Sequence, residues 1–187
     1  MKSATVKLLF VLSFQIISIS PVFAEIEKVQ LGQVVTNTAS EIQKRLEKTL
    51  PENTPVVYTI VPRGLIVSVK EDIFFSGESI LIKKSSTNVL DAIISVLLQI
   101  NNNCTIESHT EGHNNNDGIY RSNWEIAMAR ANSITDYLVY CGKIPASRVF
   151  SLGYGDFMPF RDTVSTTKNG FDRRIDFVIF SYEYSRD

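Results

Sequence analysis

Two residues of the sequence, Asn123 and Arg130, have types and a spacing that suit the binding of a small anion. They are seven residues apart, which is about two turns of a helix, so both side chains would lie in one stripe with a drift of only ~20°. A guanidinium donates paired hydrogen bonds in a planar fork, and a neighbouring amide adds another donor. The pair therefore predicts a site for a planar anion such as a carboxylate.

A helix that starts at Ser122 would position this pair. Ser122-x-x-Glu125 is a capping box, in which the serine hydroxyl accepts from the Glu125 backbone and the glutamate reaches back to the backbone of Ser122. The apolar residues that recur at helical spacing are Trp124, Ala127, Ala131, Ile134 and Leu138. The pattern predicts a helix over residues 123–140 that ends at Gly142 and has Trp124 in the core. The stripe that carries Arg130 would border the packed face and form the wall of a site.

The amino end of the chain has the layout of a secretory signal peptide. Lys2 and Lys7 lead into an apolar run over residues 8–19, and a small residue, Ala24, stands at the expected cleavage point. The run is shorter than the ~20 residues of a membrane-spanning helix, so an uncleaved anchor is the second alternative. We expect export, removal of residues 1–24 and no membrane span in the mature chain.

Cleavage would leave a mildly acidic protein. Residues 1–24 contain two lysines and no acid, so their removal changes the formal net charge from −1 to −3. This balance argues against nucleic acid or an anionic membrane surface as a partner. With 44% hydrophobic residues, the remaining chain is long enough to bury one good core.

The prolines at positions 51 and 55 divide the chain. Before them, residues 25–55 are polar, and Ile42, Leu46 and Leu50 give a short helical stripe that is too narrow for a domain. We interpret residues 25–55 as a linker or a partner-binding arm. Residues 56–182 would then form one domain, followed by a tail over residues 183–187.

Within that domain, the composition predicts alternating strands and helices. Runs rich in β-branched and aromatic residues predict strands over residues 56–61, 64–69, 105–109, 148–152 and 174–180. Apolar residues at helical spacing predict one further helix, which starts near Ser85 or Ser86 and stops at Asn101. The order β-α-β-α-β-β indicates an α/β (α+β) fold, in which an open sheet carries helices on one face.

The sequence contains little that suits redox, metal or hydrolytic chemistry. Cys104 begins a predicted strand and Cys141 ends the following helix, so they are either a disulfide of an exported protein or two small buried residues. His109-x-Glu111-x-His113 lacks the helical spacing of a zinc protease, and we expect no cofactor. A wall-cleaving enzyme would need a zinc set, a Cys-His pair or paired carboxylates, and no set of residues has a convincing spacing.

Four separated motifs together resemble those of the OmpA-like peptidoglycan-binding domain, in particular its MotB-type version. They are His109-Thr110-Glu111, Ser122-Asn123-Trp124-Glu125 with Ala129-Arg130-Ala131, Gly153-Tyr154-Gly155-Asp156 with Pro159, and Arg173-Arg174-Ile175-Asp176. The resemblance implies an open mixed sheet and non-covalent binding of the diaminopimelate of the peptidoglycan stem peptide. It assigns the acid role to Glu111, where the family has Asp, the basic role to Arg130, and a supporting role to Asn123; we add Thr110, beside Glu111, as a further ligand-binding residue. Arg173 and Arg174 stand at a strand entrance, where successive side chains point to opposite faces, so one of them would face the site, and we favour Arg174.

The implied function is that of a non-enzymatic periplasmic protein of a Gram-negative bacterium that tethers an envelope assembly to the cell wall. Its partners would be peptidoglycan and proteins of an envelope or secretion complex. The alternative is a structural component of a periplasmic secretion or motor complex, in which the fold is a docking surface without wall binding. A pull-down on sacculi distinguishes the two.

The chemistry of the residues agrees with the implied ligand. The end of diaminopimelate is a zwitterion, so its site needs one anion and one cation a few ångströms apart, as Glu111 and Arg130 would provide. An ordinary structural ion pair between these two residues is the competing interpretation. If the first interpretation holds, Arg130→Ala should abolish sacculus binding and leave the melting temperature near that of the wild type.

Overall fold

The computed structural model describes residues 38–111, 119–158 and 171–183. The signal peptide and residues 25–37 of the arm lie outside the described residues. Helix α1 covers residues 38–49, and the other elements are β1 (Val56–Val61), β2 (Gly64–Lys70), α2 (Glu71–Phe74), α3 (Thr87–Leu97), β3 (Asn102–His109), α4 (Asn123–Asp136), β4 (Val149–Gly155) and β5 (Arg174–Glu183). None of the helices in the described part of the chain is long and apolar enough to span a bilayer.

The strands form one open mixed sheet in the order β1-β2-β5-β3-β4. In this sheet the pairs β1–β2, β2–β5 and β5–β3 are antiparallel, and the pair β3–β4 is parallel. A parallel pair needs a long crossover, and α4 supplies it. The chain therefore returns to the same end of the sheet after α4, which places the ends of β3 and β4 beside the start of this helix. The predicted fold class is confirmed.

The hairpin between β1 and β2 holds the edge of the sheet against β5. Gly64 has a φ of +144°, and a Cβ at this position would lie 2.0 Å from the carbonyl oxygen of Ile179. Only glycine permits both the backbone conformation and this close approach. The turn before it also contacts β5, since the Arg63 carbonyl accepts a hydrogen bond from the Ser181 backbone at 3.0 Å.

The core lies between one face of the sheet and the helices. Alternation along the strands directs one set of apolar side chains to this face: Leu65, Val67, Val69, Cys104, Ile106, Ile175, Phe177 and Ile179. The helices add residues at helical spacing, among them Leu90, Ile93 and Leu97 of α3, Ala131 and Ile134 of α4, and Leu138 of the helical stretch that follows α4. The helices of the described residues thus cover one face, as the sequence predicted.

Helix α1 is part of this core and not an independent arm. Ala39, Ile42 and Leu46 are buried among the core residues, and Leu46 is fully covered. The stripe is narrow because the helix contacts the core along a single ridge, and its other faces are exposed. The domain therefore begins at or before residue 38, and the predicted boundary at residue 56 is wrong.

We expect Leu46→Ala to lower the free energy of unfolding by about 2–5 kcal/mol, the usual cost of removing a fully buried leucine side chain. Urea unfolding followed by circular dichroism measures this change. Lys48→Ala, on the exposed side of the same helix, is the control and should change stability by less than ~0.5 kcal/mol. Equal effects of the two substitutions would mean that α1 does not pack on the domain.

The start of α4 is capped as the sequence predicts. The Ser122 hydroxyl accepts from the Glu125 backbone at 3.1 Å. The reciprocal bond differs by one residue, because Glu125 accepts from the backbone of Arg121 at 2.6 Å and not from Ser122. Trp124 was predicted to be core, but its side chain is 51% exposed, since it lies at the first turn, where the helix passes the edge of the sheet.

The helix that begins with α4 continues through a π-helical stretch, Tyr137–Cys141, and ends at Gly142. Cys141 lies at this end of the helix, away from the core position of Cys104. Cys104 is buried in the core, whereas Cys141 is exposed, and both are free thiols. The disulfide alternative is therefore not realised in this structure. Burial raises the pKa of the Cys104 thiol to about 12, so this group is a neutral core residue.

Candidate ligand-binding cleft

A cleft of about 140 Å³ opens where four segments of the chain meet. It is lined by Gly77, Glu78, Thr110, Glu111, Ile126, Arg130 and Arg173. Gly77 and Glu78 come from the connection between α2 and α3, and Thr110 and Glu111 follow β3. Ile126 and Arg130 lie on α4, and Arg173 directly precedes β5. We call this site the cleft.

The end of β4 fixes the position of the helix beside the cleft. Gly155 has a φ of +57°, and a Cβ there would lie 2.8 Å from the backbone nitrogen of Trp124. The carbonyl of Gly155 also accepts a hydrogen bond from the Thr110 backbone at 3.0 Å. This one residue therefore ties the end of β3 to the start of α4, which brings Thr110 and Glu111 to the same cleft as Arg130.

Arg130 forms the floor of the cleft, and its side chain is only 1% exposed. Its Nε donates to the carbonyl of Ser79 at 3.1 Å, its Nη2 donates to the carbonyl of Gly77, and its Nη1 contacts the Thr110 hydroxyl at 3.4 Å. The guanidinium also lies 5.2 Å from the centre of the Phe75 ring. Arg130 thus fixes the loop that carries Gly77 and Ser79, and most of the N–H donors of its guanidinium already have partners.

The ionic partner of Arg130 is Glu71, a buried residue that the sequence analysis did not identify. Glu71 accepts from Arg130 Nη1 and from the Thr110 hydroxyl through Oε1, and from Arg173 through Oε2 at 2.8 Å. The only signal in the sequence was a glutamate directly after a strand, beside the Phe74-Phe75 pair. The competing interpretation, a structural ion pair between Glu111 and Arg130, is therefore not found; Arg130 pairs instead with Glu71, and both side chains are only 1% exposed.

Arg173, and not Arg174, is the second cation of the cleft. The Arg173 side chain is 49% exposed and donates to Glu71, and its backbone carbonyl accepts from the Glu71 backbone at 3.1 Å. Successive residues at a strand entrance point to opposite faces. Arg174 therefore lies on the other face of the sheet, and the predicted placement of Arg174 in the site is wrong.

Arg174 belongs to a buried polar cluster on the sheet face opposite the helices. Its Nε donates to both carboxylate oxygens of Asp176, at 3.1 and 2.9 Å, and its Nη2 lies 3.3 Å from His109 Nε2. His109 Nε2 also lies 3.2 Å from Asp176 Oδ2, and the His109 ring stacks on Tyr154 with 5.0 Å between ring centres. His109 is thus a buried hydrogen-bonding residue, in agreement with the interpretation made from the sequence.

One trio in the described part of the chain has the spacing of metal ligands, because atoms of Glu107, His109 and Asp176 lie within 4.8 Å of one another. Each carboxylate of the trio already has an arginine partner. Arg63 donates two hydrogen bonds to Glu107, at 2.9 and 3.2 Å, and Arg174 neutralises Asp176. A cation would have to displace these guanidinium groups, so the arrangement favours a salt-bridge network over a metal site.

The Asp176 carboxyl makes the stability of the domain depend on pH. Burial alone would raise its pKa, but the hydrogen bond from His109 and the charge of Arg174 outweigh burial and hold the pKa below its usual value. The stabilisation is therefore present above the unfolded pKa of about 4 and is lost as the pH falls through the lower folded value. Asp176→Asn should be less stable than the wild type at pH 7, and urea titrations should show this difference narrowing below pH 4.

Of the other residues predicted for the site, two line the cleft and one does not. Thr110 is buried and Glu111 is exposed, and both line the cleft. Asn123 is the first residue of α4 and is partly buried, but it is not among the residues that line the cleft. The structure thus brings together three of the five predicted ligand-binding residues, Thr110, Glu111 and Arg130, and adds Arg173.

The protein has an open mixed sheet with helices on one face and a charged cleft beside the capped helix α4. The model of the OmpA family matches residues 74–173, which is more than half of the chain, and the chain belongs to this family. The resemblance drawn from the four motifs is therefore confirmed.

Two relatives from Bacillus subtilis show the extent of the similarity. The uncharacterized protein YtxE is 32% identical over 118 residues, which are 63% of this chain and 48% of the relative. Motility protein B is 27% identical over 146 residues, which are 76% of this chain and 55% of the relative. The chain therefore spans about half the length of these curated relatives.

Solved structures share the fold at low sequence identity. A putative MotB-like protein from Desulfovibrio vulgaris superimposes with a TM-score of 0.70 at 17% identity, over 81% of this chain and 96% of that one. The cell wall anchor of the T6SS from Pseudomonas aeruginosa superimposes with a TM-score of 0.58 at 19% identity, over 80% and 96% of the two chains. Each of these two structures is matched over 96% of its own length, and at this level of identity the similarity shows the fold alone.

Proposed function

We propose that this protein binds peptidoglycan without cleaving it and tethers an envelope assembly to the cell wall. The observation that carries the proposal is the cleft itself. In a chain of the OmpA family, an exposed acid, Glu111, and a half-exposed base, Arg173, both line a cleft of about 140 Å³. That volume suits the end of one amino-acid side chain and not a folded protein partner.

The ligand chemistry follows from these two groups. An ammonium and a carboxyl group on one carbon atom, as at the free end of diaminopimelate, would meet Glu111 and Arg173 respectively. Arg130 supports the site from below by holding Glu71 and the loop that carries Gly77 and Ser79. Both partners lose water on binding, so we expect micromolar or weaker affinity at each site. Weak sites suit a tether that acts by avidity along a polymer.

The relatives support the location and role that we propose. One relative is named motility protein B, and one structural neighbour is described as the cell wall anchor of a T6SS. By analogy, this chain would act in the periplasm as the wall-binding part of a larger complex. The role is one of binding alone, with no catalytic step and no cofactor.

Co-sedimentation with purified sacculi tests the proposal. The purified chain should pellet with intact sacculi, remain in the supernatant without them, and be released when the sacculi are digested to soluble muropeptides. Release of new muropeptides by the chain itself would indicate an enzyme. Failure to pellet, together with co-purification of envelope proteins, would favour the docking function over wall binding.

A further inference from the structure

We propose that two exposed aromatic residues, Trp124 and Phe157, form a platform for sugar rings of the glycan strand, next to the cleft that takes the stem peptide. The inference rests on the proposed function and extends it from the peptide to the sugars of the same ligand. It follows from the exposure of the two side chains, from the contacts that fix their backbone, and from the short peptide that joins the sugar to the bound residue. We call the two residues the aromatic platform.

Large apolar side chains are concentrated on the surface near the start of α4. Trp124 is 51% exposed and Phe157 is 78% exposed, and Ile119 and Met158, which are close to them in the chain, are 92% and 53% exposed. Among the described residues, neither aromatic ring has another ring or a cation against it. Single exposed apolar residues are ordinary on a protein surface, whereas a group of them marks a contact surface.

Backbone contacts hold the aromatic platform in place. A Cβ at Gly155 would lie 2.8 Å from the backbone nitrogen of Trp124, so the end of β4 packs directly on the first turn of α4. The Phe157 N–H donates to a carbonyl of β4 at 3.2 Å, and Arg174 donates to the carbonyl of Met158 at 3.3 and 3.4 Å. The turn that carries Phe157 is therefore anchored at both ends. Side chains on a fixed backbone lose less conformational entropy when a ligand binds.

The aromatic platform and the cleft lie on two flanks of the start of α4. Trp124 is two residues before Ile126, a cleft residue, which is about 3 Å along the helix axis and about 200° around it. Gly155, which packs on the backbone of Trp124, also accepts a hydrogen bond from the backbone of Thr110, another cleft residue, at 3.0 Å. A ligand that occupies both sites must therefore cross the first turn of α4.

The peptidoglycan peptide has the length that this crossing requires. Alanine and γ-glutamate separate the diaminopimelate from the sugar to which the stem peptide is joined, and three extended residues cover about 10 Å. A helix with its side chains is about 10–12 Å wide. A diaminopimelate end in the cleft therefore keeps the sugar of the same strand within reach of the other flank of α4, where the aromatic platform lies.

The chemistry of a hexosamine ring suits an exposed aromatic side chain. The C–H bonds on one face of the sugar are weakly positive, and the face of an aromatic ring is negative, so the two faces attract each other. The hydroxyl and acetamide groups of the sugar remain in water, so stacking leaves no buried polar group without a partner. The aromatic platform thus adds affinity for the glycan strand without a further charged residue.

Tryptophan fluorescence tests the inference, because Trp124 is the only tryptophan of the chain. The ligands are the free tripeptide Ala-γ-Glu-diaminopimelate and the same tripeptide joined to its disaccharide. We expect the disaccharide form to bind about three- to tenfold more tightly, the size of one aromatic stacking contact, and to shift the emission to shorter wavelength. The free tripeptide should bind without this shift.

Variants assign the difference to the aromatic platform. In calorimetric titrations, Trp124→Ala and Phe157→Ala should each reduce the advantage of the disaccharide form and leave the affinity for the free tripeptide unchanged. Phe150→Ala is the control, because Phe150 is a half-exposed aromatic residue at the other end of β4 and should change neither affinity.

Equal affinities of the wild type for the two ligands, with unchanged emission, would overturn the inference, and binding of the tripeptide would then leave the proposed function standing. A similar loss for both ligands in Trp124→Ala would also overturn it, because the substitution would then act through the cleft. No binding of either ligand and no co-sedimentation with sacculi would overturn both the inference and the proposed function.

Discussion

Replacing Arg130 with alanine is expected to destabilise the domain by about 3–5 kcal/mol. The substitution removes one of the two arginines that pair with the buried Glu71 and leaves only Arg173. The carbonyls of Gly77 and Ser79 would lose their donors at the same time. The sequence alone predicted the opposite, namely lost binding at unchanged melting temperature. The difference arises because Arg130 is a structural arginine beneath the cleft and not an exposed wall residue.

Urea unfolding monitored by circular dichroism measures this effect. A matched double substitution, Arg130→Met with Glu71→Gln, removes both charges and should recover part of the lost stability, since an unpaired buried charge costs more than a neutral pair. An Arg130→Ala variant with wild-type stability would contradict the account of the buried pair. It would mean that Glu71 can reach water when the guanidinium is absent.

Replacing Arg173 with glutamine is expected to reduce affinity for sacculi by tenfold or more while changing the free energy of unfolding by less than ~1 kcal/mol. The Arg173 side chain is half exposed, so its loss leaves Glu71 still paired with Arg130. The ligand, however, would lose the one cation of the cleft that solvent can reach among the described residues. Co-sedimentation at several sacculus concentrations gives the change in affinity.

Arg45→Gln is the control for this substitution. Arg45 is exposed on α1 and is not among the residues that line the cleft, and its replacement makes the same change in net charge. Its binding should equal that of the wild type. Equal losses in both variants would indicate that only the overall charge matters. Unchanged binding of Arg173→Gln, with Arg45→Gln also unchanged, would remove Arg173 from the site.

The sequence predicted the elements that depend on local signals. The capping box at Ser122, the spacing of Ala127, Ala131 and Ile134, and the glycine at position 142 gave the limits of the crossover helix almost to the residue. The β-rich runs gave the five strands of the described sheet, although β3 begins three residues earlier than predicted, and β4 and β5 each extend three residues further. Such patterns are local because they reflect backbone propensity and one buried face.

The sequence did not predict the contacts that depend on distant parts of the chain. Glu71 and Arg130 are 59 residues apart, and Glu71 and Arg173 are 102 apart, so no local pattern pairs them. The choice between Arg173 and Arg174 depends on the residue at which β5 begins, and a shift of one residue reverses the face. Helix α1 was assigned to a linker for a similar reason, since three apolar positions do not reveal the core on which they pack.

Nuclear magnetic resonance titration with a soluble muropeptide tests the central claim most directly. We predict that the backbone amides of Gly77, Thr110 and Glu111 and the Arg173 Nε–Hε signal will shift together in proportion to the ligand added. The Nε–Hε signal of Arg63, which is bound to Glu107 on the opposite sheet face, should not move. Shifts confined to residues outside the cleft, or none at millimolar ligand, would contradict the assignment of the cleft as the peptidoglycan site.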